Sequence, residues 1–473
     1  MCDFIRVNSL KIVLFINIMI KKNIFSLLVL FLIAHLIVWT LIPTLTNKNL
    51  PLDTIEALAW GSNLEWGYSK HPPFSAFAVE VFYQIFGNQD WAYYFLSQLF
   101  VISAFFAVYS FSKDFFQNEY FSLLSVFLLE GIYFYNFTTP EFNVNVSQLP
   151  FWALSIFFTW RCVKHDKAID YLLLGVVISL GILSKYLFIY LVIGIKFYFI
   201  YLIIKGKKFD ILNVFIPGFI AILILFPHII WLIKNDYTTV LYGLQRTGGA
   251  GSFFDHLIFP IIFLGKQLGI LSLSFLMVFF LLKKYKFKIN YKDKKLMFLI
   301  FTILIPILLI LLTSMIMGIK IRTMWMTPFY LFFGTFLIYI FNKQIKTKKI
   351  KKFLVSFLII FFISPTIYSY ISITHTNKRT DYEGKEIARL VQNRWDENFT
   401  NKISIVIGDE WFGGNLSYHL ESRPKWLNNL KDINNIDIEG GVIYTGNPKI
   451  LKSVCPGVYG TIKPIGICMI GSK

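Results

Sequence analysis

The chain has 473 residues, 56% of them hydrophobic and only 15% charged, with a mean hydropathy of +0.60. A soluble fold of that size needs a more polar surface, so the composition excludes a water-soluble globular protein. The net charge of +19 does not point to nucleic acid, because the lysines stand in short blocks between apolar runs, as the positive-inside rule arranges them.

Apolar runs long enough to cross a bilayer recur along the chain and predict an all-α polytopic membrane protein of about 11–13 transmembrane helices. In order, spans are expected near 23–43, 91–111, 119–135, 148–161, 169–183, 186–204, 211–233, 257–282, 296–317, 323–341 and 352–371. The first run follows Lys21-Lys22 and lacks a small-residue cleavage site, so it reads as a retained signal anchor, with Met19 an alternative start to Met1. The apolar segment 74–86 is bounded by Pro72-Pro73 and Gly87-Asn88 and is too short to span, so it reads as an interfacial helix.

Keeping 74–86 out of the bilayer makes the charge pattern alternate. One side collects Lys21/Lys22, Lys113, Arg161/Lys164/Lys167, Lys205/Lys207/Lys208, the block Lys283 to Lys295, and Lys343 to Lys352; these are the expected cytoplasmic loops. The other side collects 44–90, 136–147, the Ser184-Lys185 turn, 234–256, 318–322 and the tail. Counting 74–86 as a span would put both densest lysine blocks outside. The expected organisation is a transmembrane module over 1–371 with an external loop 44–90, then a small extracytoplasmic α/β domain over 372–473. In that tail Tyr382 to Trp395 has helical spacing, and Lys402 to Gly408 and Gly441 to Tyr444 read as short buried strands. Cys455 and Cys468 lie close enough for a disulfide in an oxidising compartment, while Cys2 and Cys162 fall on the reducing side.

The polar residues that invite chemistry gather on the external side. The first loop carries Asp53, Glu56 and Glu65, then a corner with Tyr68, Lys70 and His71-Pro72-Pro73; loop 136–147 adds Glu141, Asn143 and Asn145. Cations come from later segments: Lys185 in a short turn, Arg246 before a Gly-rich turn, Lys266 inside a span, and Lys320 and Arg322 beside Trp325. Acids here and cations there suit an anionic, lipid-linked substrate. A leaving phosphate gathers charge that fixed cations stabilise, and a hydroxyl acceptor needs a carboxylate to take its proton. Bland readings stay open beside this one. Rim lysines snorkel in many membrane proteins, Asp53 and Glu56 at i and i+3 could serve only to cap a helix, and His71 could be a turn residue.

An acid just after the first span, followed by Gly-Tyr-x-x-His-Pro-Pro, resembles the GT-C fold membrane glycosyltransferases, within them the bacterial family 39, protein-mannosyltransferase-like group that includes the lipid A aminoarabinose transferases. The likeness continues in order through PEFNVNVSQLPFWAL (140–154), GILSKY (181–186), FPHIIWLIKNDY (226–237), LGKQLGILS (264–272) and IGDEWFGGNLSYHLESRP (407–424). It implies an inverting transfer of one sugar, hexosyl or pentosyl, from a polyprenyl (undecaprenyl) phosphate donor to an extracytoplasmic acceptor: lipid A, an envelope glycan or a protein. The implied setting is the bacterial inner membrane, with the active site on the periplasmic side and no nucleic-acid partner. By the same resemblance Asp53 is the key acid, with Glu56 second and His71 in the same loop. Lys185, Arg246, Arg322 and Lys266 are phosphate candidates, and Glu141, Asn143, Asn145 and Tyr68 are candidates for contact with the sugar. Cofactor need is left open at a divalent cation beside the acids. The alternative is a flippase of lipid-linked sugars, which would call for paired charges within spans and repeated halves; neither is visible in the sequence.

Overall fold

The computed structural model describes residues 23–282, 290–429, 440–462 and 465–473. The choice between Met1 and Met19, Cys2, and the part of the lysine block over 283–289 lie outside these residues.

Every one of the eleven expected segments is helical. Among the described residues seven helices are long and apolar enough to cross a membrane: Ile24–Thr46, Asp90–Phe116, Tyr186–Ile204, Ile211–Lys234, Asp255–Leu281, Lys294–Met317 and Ile350–Thr374. An eighth is formed if Thr323–Tyr330 and Phe333–Gln344, bent by 53°, count as one span. The remaining expected segments are shorter. Glu119–Phe127 gives way to 3-10 turns at Leu128–Gly131 and Tyr133–Tyr135, while Leu149–His165 and Ala168–Ser184 have 17 residues each, about 25 Å of helix. The chain is a multi-pass helical membrane protein with a small sheet domain at its C-terminal end.

The fold divides into two compact units. The helical unit comprises Met1–Trp39, Gln98–Thr139 and Asn145–Tyr368; the sheet unit comprises Thr40–Ser97, Pro140–Val144 and Ser369–Lys473.

The helical unit is filled largely by aromatic rings, which explains the use made of phenylalanine: Phe111, Phe115, Trp160 and Phe298 interlock, and Phe127 stacks on Phe357 at 4.1 Å. Such ring pairs contribute roughly 0.5–1.5 kcal/mol each beyond the area they bury. Leu149–His165 turns back into Ala168–Ser184 through Asp166 in the left-handed conformation, and Arg161 pairs with buried Asp170 at 2.6 Å across that turn. His35, in the first span, and Glu130, in the turn Leu128–Gly131, are both buried and pair at 2.7 Å among Phe31, Trp39 and Phe105. The partners are 95 residues apart, a contact that hydropathy and spacing do not reveal.

In the sheet unit five strands, β1 (Ile403–Ile407), β2 (Lys425–Leu427), β3 (Gly441–Gly446), β4 (Val458–Ile462) and β5 (Ile465–Ile470), stand in the order β2-β1-β3-β5-β4. β1 is parallel to both β2 and β3, and β5 runs antiparallel to β3 and β4. The expected helix appears as Gly384–Asp396, whose Ala388, Val391 and Trp395 close one face of the sheet over Val406, Ile443 and Ile467. The Cys455–Cys468 disulfide is formed. Two N-terminal helices belong to the same unit, Leu52–Gly61 and Phe74–Phe86. The second has 13 residues, below span length, and turns Ser75, Ala76, Val79 and Glu80 inward while Val81 and Ile85 are exposed. Its Glu80 meets Arg423 at 2.8 Å.

Candidate active site

The acid-bearing site is built in the sheet unit from three chain segments. Helix Leu52–Gly61 begins after Pro51, an N-cap with no side chain to offer the free backbone donors of the first turn. A distant carboxylate does that work instead: the Asp53 N–H donates to Glu141 Oε1 at 3.1 Å, and Thr54 Oγ1 donates to the Phe142 carbonyl at 3.1 Å. Segment Pro140–Val144 is thereby pinned to the start of the helix, and Asp53 stands in the first turn, where the helix dipole favours negative charge. Burial, and then the nearby charge of Asp53, push the Glu141 carboxyl up to about 8, while hydrogen bonds from the Asp53 backbone and the Asn143 side chain oppose the shift.

One turn along the same helix Glu56 accepts from Lys70 Nζ at 2.7 Å, and the same ammonium meets Glu410 Oε1 at 3.1 Å. Burial pushes the Glu56 carboxyl up, with Lys70 pulling it down and Asp53 and Glu410 adding to the rise. Burial alone would lower the Lys70 ammonium, but Glu56 and Glu410 outweigh it and hold it above its ordinary value, so the three groups remain an acid–cation–acid bridge.

The corner after this helix is a packed turn. The Tyr68 N–H donates to the His71 carbonyl at 3.1 Å, and the Tyr68 hydroxyl donates to the Trp60 carbonyl at 3.0 Å while its ring stacks on Trp60. Tyr68 is buried with Ala59, Trp60, Ala76 and Trp426. The His71 ring lies edge-on to Trp60 at 6.0 Å. Of the residues expected to act together, the structure therefore joins Asp53, Glu141, Asn143 and Glu56 around one helix. Tyr68 and His71 pack against Trp60 beside them.

The helical unit carries an open pocket of about 700 Å³ whose lining includes Arg246, Lys266, Lys320 and Arg322 together with Tyr133, Gln245 and Thr323. Arg246 ends helix Thr238–Thr247, Lys266 projects from span Asp255–Leu281, and Lys320 and Arg322 come from the connection before Thr323–Tyr330. None of the four has a carboxylate within ion-pair distance among the described residues. A second recess of about 370 Å³ shares Tyr133, Lys266 and Thr323 with it and continues along Gly269, Ile270, Ser272 and Leu273. Cations gathered without counter-charges beside an apolar groove suit an amphiphilic anion. Lys185 is placed elsewhere. Its ammonium is buried, donates to Asn145 Oδ1 at 2.5 Å and lies 5.2 Å from the Trp325 ring centre.

One residue joins those that the sequence singles out. Glu410 completes the acid bridge with Lys70 and Glu56; it follows Gly408, just beyond β1, and carboxyl ends of parallel strands are where such folds present polar groups. Lys320 lines the basic pocket beside Arg322. As for a divalent cation, no group of three or more His, Cys, Asp or Glu side chains among the described residues is arranged to hold one.

The family described as dolichyl-phosphate-mannose-protein mannosyltransferase matches the chain over residues 70–231. Among solved structures, ArnT from Cupriavidus metallidurans in the apo state resembles it with a TM-score of 0.63 at 10% identity, covering 95% of this chain and 98% of that one. The same protein bound to undecaprenyl phosphate gives a TM-score of 0.63 at 11% identity, covering 94% and 98%. No curated protein matches the chain by sequence.

Proposed function

We propose that this chain, which has the GT-C, protein-mannosyltransferase-like fold of ArnT, is a membrane glycosyltransferase that moves a sugar from a polyprenyl-phosphate donor to an acceptor. The observation that carries this reading is the basic pocket. Its four unmatched cations and adjoining apolar recess suit a phosphate on a long hydrocarbon chain, and undecaprenyl phosphate is the lipid bound in the related ArnT structure.

In the reaction, an acceptor hydroxyl attacks the anomeric carbon, the bond to the phosphate oxygen breaks, and polyprenyl phosphate leaves with inverted configuration at the sugar. Arg246, Lys266, Lys320 and Arg322 stabilise the charge that builds on the phosphate. Asp53 accepts the hydroxyl proton. Asp53 stands in the first turn of its helix, and Glu141, whose carboxyl burial pushes up, accepts from the Asp53 N–H beside it. The location is the bacterial inner membrane, with the acid loop and the α/β domain on the periplasmic side, as the lysine distribution favours. The acceptor is lipid A, an envelope glycan or a protein, and comparing envelope lipids and glycans of a deletion strain by mass spectrometry identifies it.

The test is reconstitution in liposomes with a synthetic undecaprenyl-phosphate sugar and envelope extract. Wild-type protein releases undecaprenyl phosphate, and Asp53→Asn does not while folding normally. Donor that is moved across the bilayer but never consumed would establish the flippase alternative. The His35–Glu130 pair lends that alternative little, since it lines neither the basic pocket nor its apolar neighbour.

A further inference from the structure

A turn of the α/β domain delivers a carboxylate into the acid loop. β1 is the middle strand of the parallel trio β2-β1-β3, and the chain leaves its carboxyl end at Gly408. That residue has φ +154°, and a Cβ there would fall 1.9 Å from Thr445 Oγ1, so only glycine makes the exit. Asp409 then accepts from the N–H groups of Trp411 and Phe412 at 2.9 and 2.8 Å, starting helix Phe412–His419. This helix rests directly on Leu52–Gly61: a Cβ on Gly414 would lie 3.1 Å from both Ala59 Cβ and Ile55 Cγ2. On the other side Trp426 packs with Ala59, Trp60, Tyr68 and Ala76, and its indole N–H donates to the Gly408 carbonyl at 3.1 Å. Glu410 is thus held by its strand, by its helix and by the corner it faces. None of those contacts needs an acid at position 410, but the acid is there, 15% exposed and 3.1 Å from Lys70.

We propose that Glu410 is a positioning residue of the acid loop: it shares Lys70 with Glu56 and fixes the ammonium on the helix face that begins at Asp53. The proposal rests on the glycosyltransferase reading above. Lys70 stands next to His71 in a corner that Tyr68 and Trp60 hold rigid, so anchoring its far end from the α/β domain fixes both ends of the side chain. With one carboxylate only, the ammonium would follow Glu56 and could swing toward Asp53, neutralising the group that has to accept a proton. The charged groups around Lys70 are Glu56 and Glu410, with Asp53 beside Glu56 on the helix and Glu141 beside Asp53.

The experiment compares Glu410→Gln, Lys70→Arg and Asp53→Asn in reconstituted full-length protein, recording kcat, donor KM, the pH profile of kcat and the melting temperature. Misplacing a group near the chemistry costs roughly 10- to 100-fold, so Glu410→Gln should lower kcat by that much with donor KM within about threefold of wild type. The acid limb of its profile should also move to lower pH, because an ammonium released by Glu410 and free to swing toward Asp53 favours the ionised carboxylate. Lys70→Arg, which can still bridge two carboxylates, should keep most of the activity. Wild-type kcat and an unmoved profile in Glu410→Gln overturn the proposal, as does a variant that only melts earlier. An Asp53→Asn protein that transfers sugar at the wild-type rate overturns the functional reading instead.

Discussion

The acid loop and the basic pocket handle charge in opposite ways. In the acid loop charges meet partners within the protein: Lys70 lies between Glu56 and Glu410, Arg423 meets Glu80, and Glu141 accepts from the Asp53 N–H. In the basic pocket four cations stand without a carboxylate within ion-pair distance among the described residues. A satisfied cluster is machinery that is complete before substrate arrives. An unsatisfied one is half of an interaction, and the sign of what is missing suits an anion.

Substituting Asp53 attacks the complete side and should have the largest effect. Loss of a general base costs on the order of 10²–10⁴ in rate, so Asp53→Asn should reduce kcat by that range with donor KM little changed, measured by release of undecaprenyl phosphate. Arg246→Ala and Arg322→Ala attack the incomplete side. A charge-assisted hydrogen bond is worth about 1.5–3 kcal/mol, so each should weaken binding of undecaprenyl phosphate roughly 10- to 100-fold in a thermal-shift titration. If either variant lowered kcat while binding the lipid normally, the contrast between the two regions would break.

Lys185→Met is a milder probe. Its ammonium bonds Asn145 outside the pocket lining, so removing it should leave lipid affinity within about threefold and lower stability by roughly 1.5–3 kcal/mol, the worth of a charge-assisted hydrogen bond. The smallest effect concerns pH. Glu141 holds its proton more tightly in the folded chain than in the unfolded one, so the folded state binds more protons between the ordinary carboxylate range and about pH 8. Stability contributed by this group is therefore present at low pH and declines as pH rises through that window. Glu141→Gln, which keeps the oxygen that accepts from Asp53, should flatten the dependence of melting temperature on pH between 5 and 9.

Much of the fold was legible because lipid imposes long apolar runs, and the strands at 403–407 and 441–446 showed as short β-branched stretches. The span at 119–135 was less so, since nothing in its hydropathy marks the change to 3-10 turns after Phe127. In the candidate site, Asp53 and Glu56 declare themselves by helical spacing. The role of Glu141 as a cap, 88 residues away, and the bridge from Lys70 to Glu410 do not, because each depends on tertiary contacts between segments with unrelated local patterns. Lys185 and Arg246 look alike in sequence, two cations in loops, and only burial separates them.

The division of the sheet unit into three stretches of chain has a consequence for how the protein is made. Of the three, Asp53 is made first, Glu141 after the long helix Asp90–Phe116, and Glu410 last. Chains generally fold in the order they are made, but this loop cannot mature in that order. Until its last segment is synthesised, the helix of Asp53 lacks the partners that set its charges. Under the proposed function, a nascent or truncated chain would thus insert its spans while remaining chemically silent.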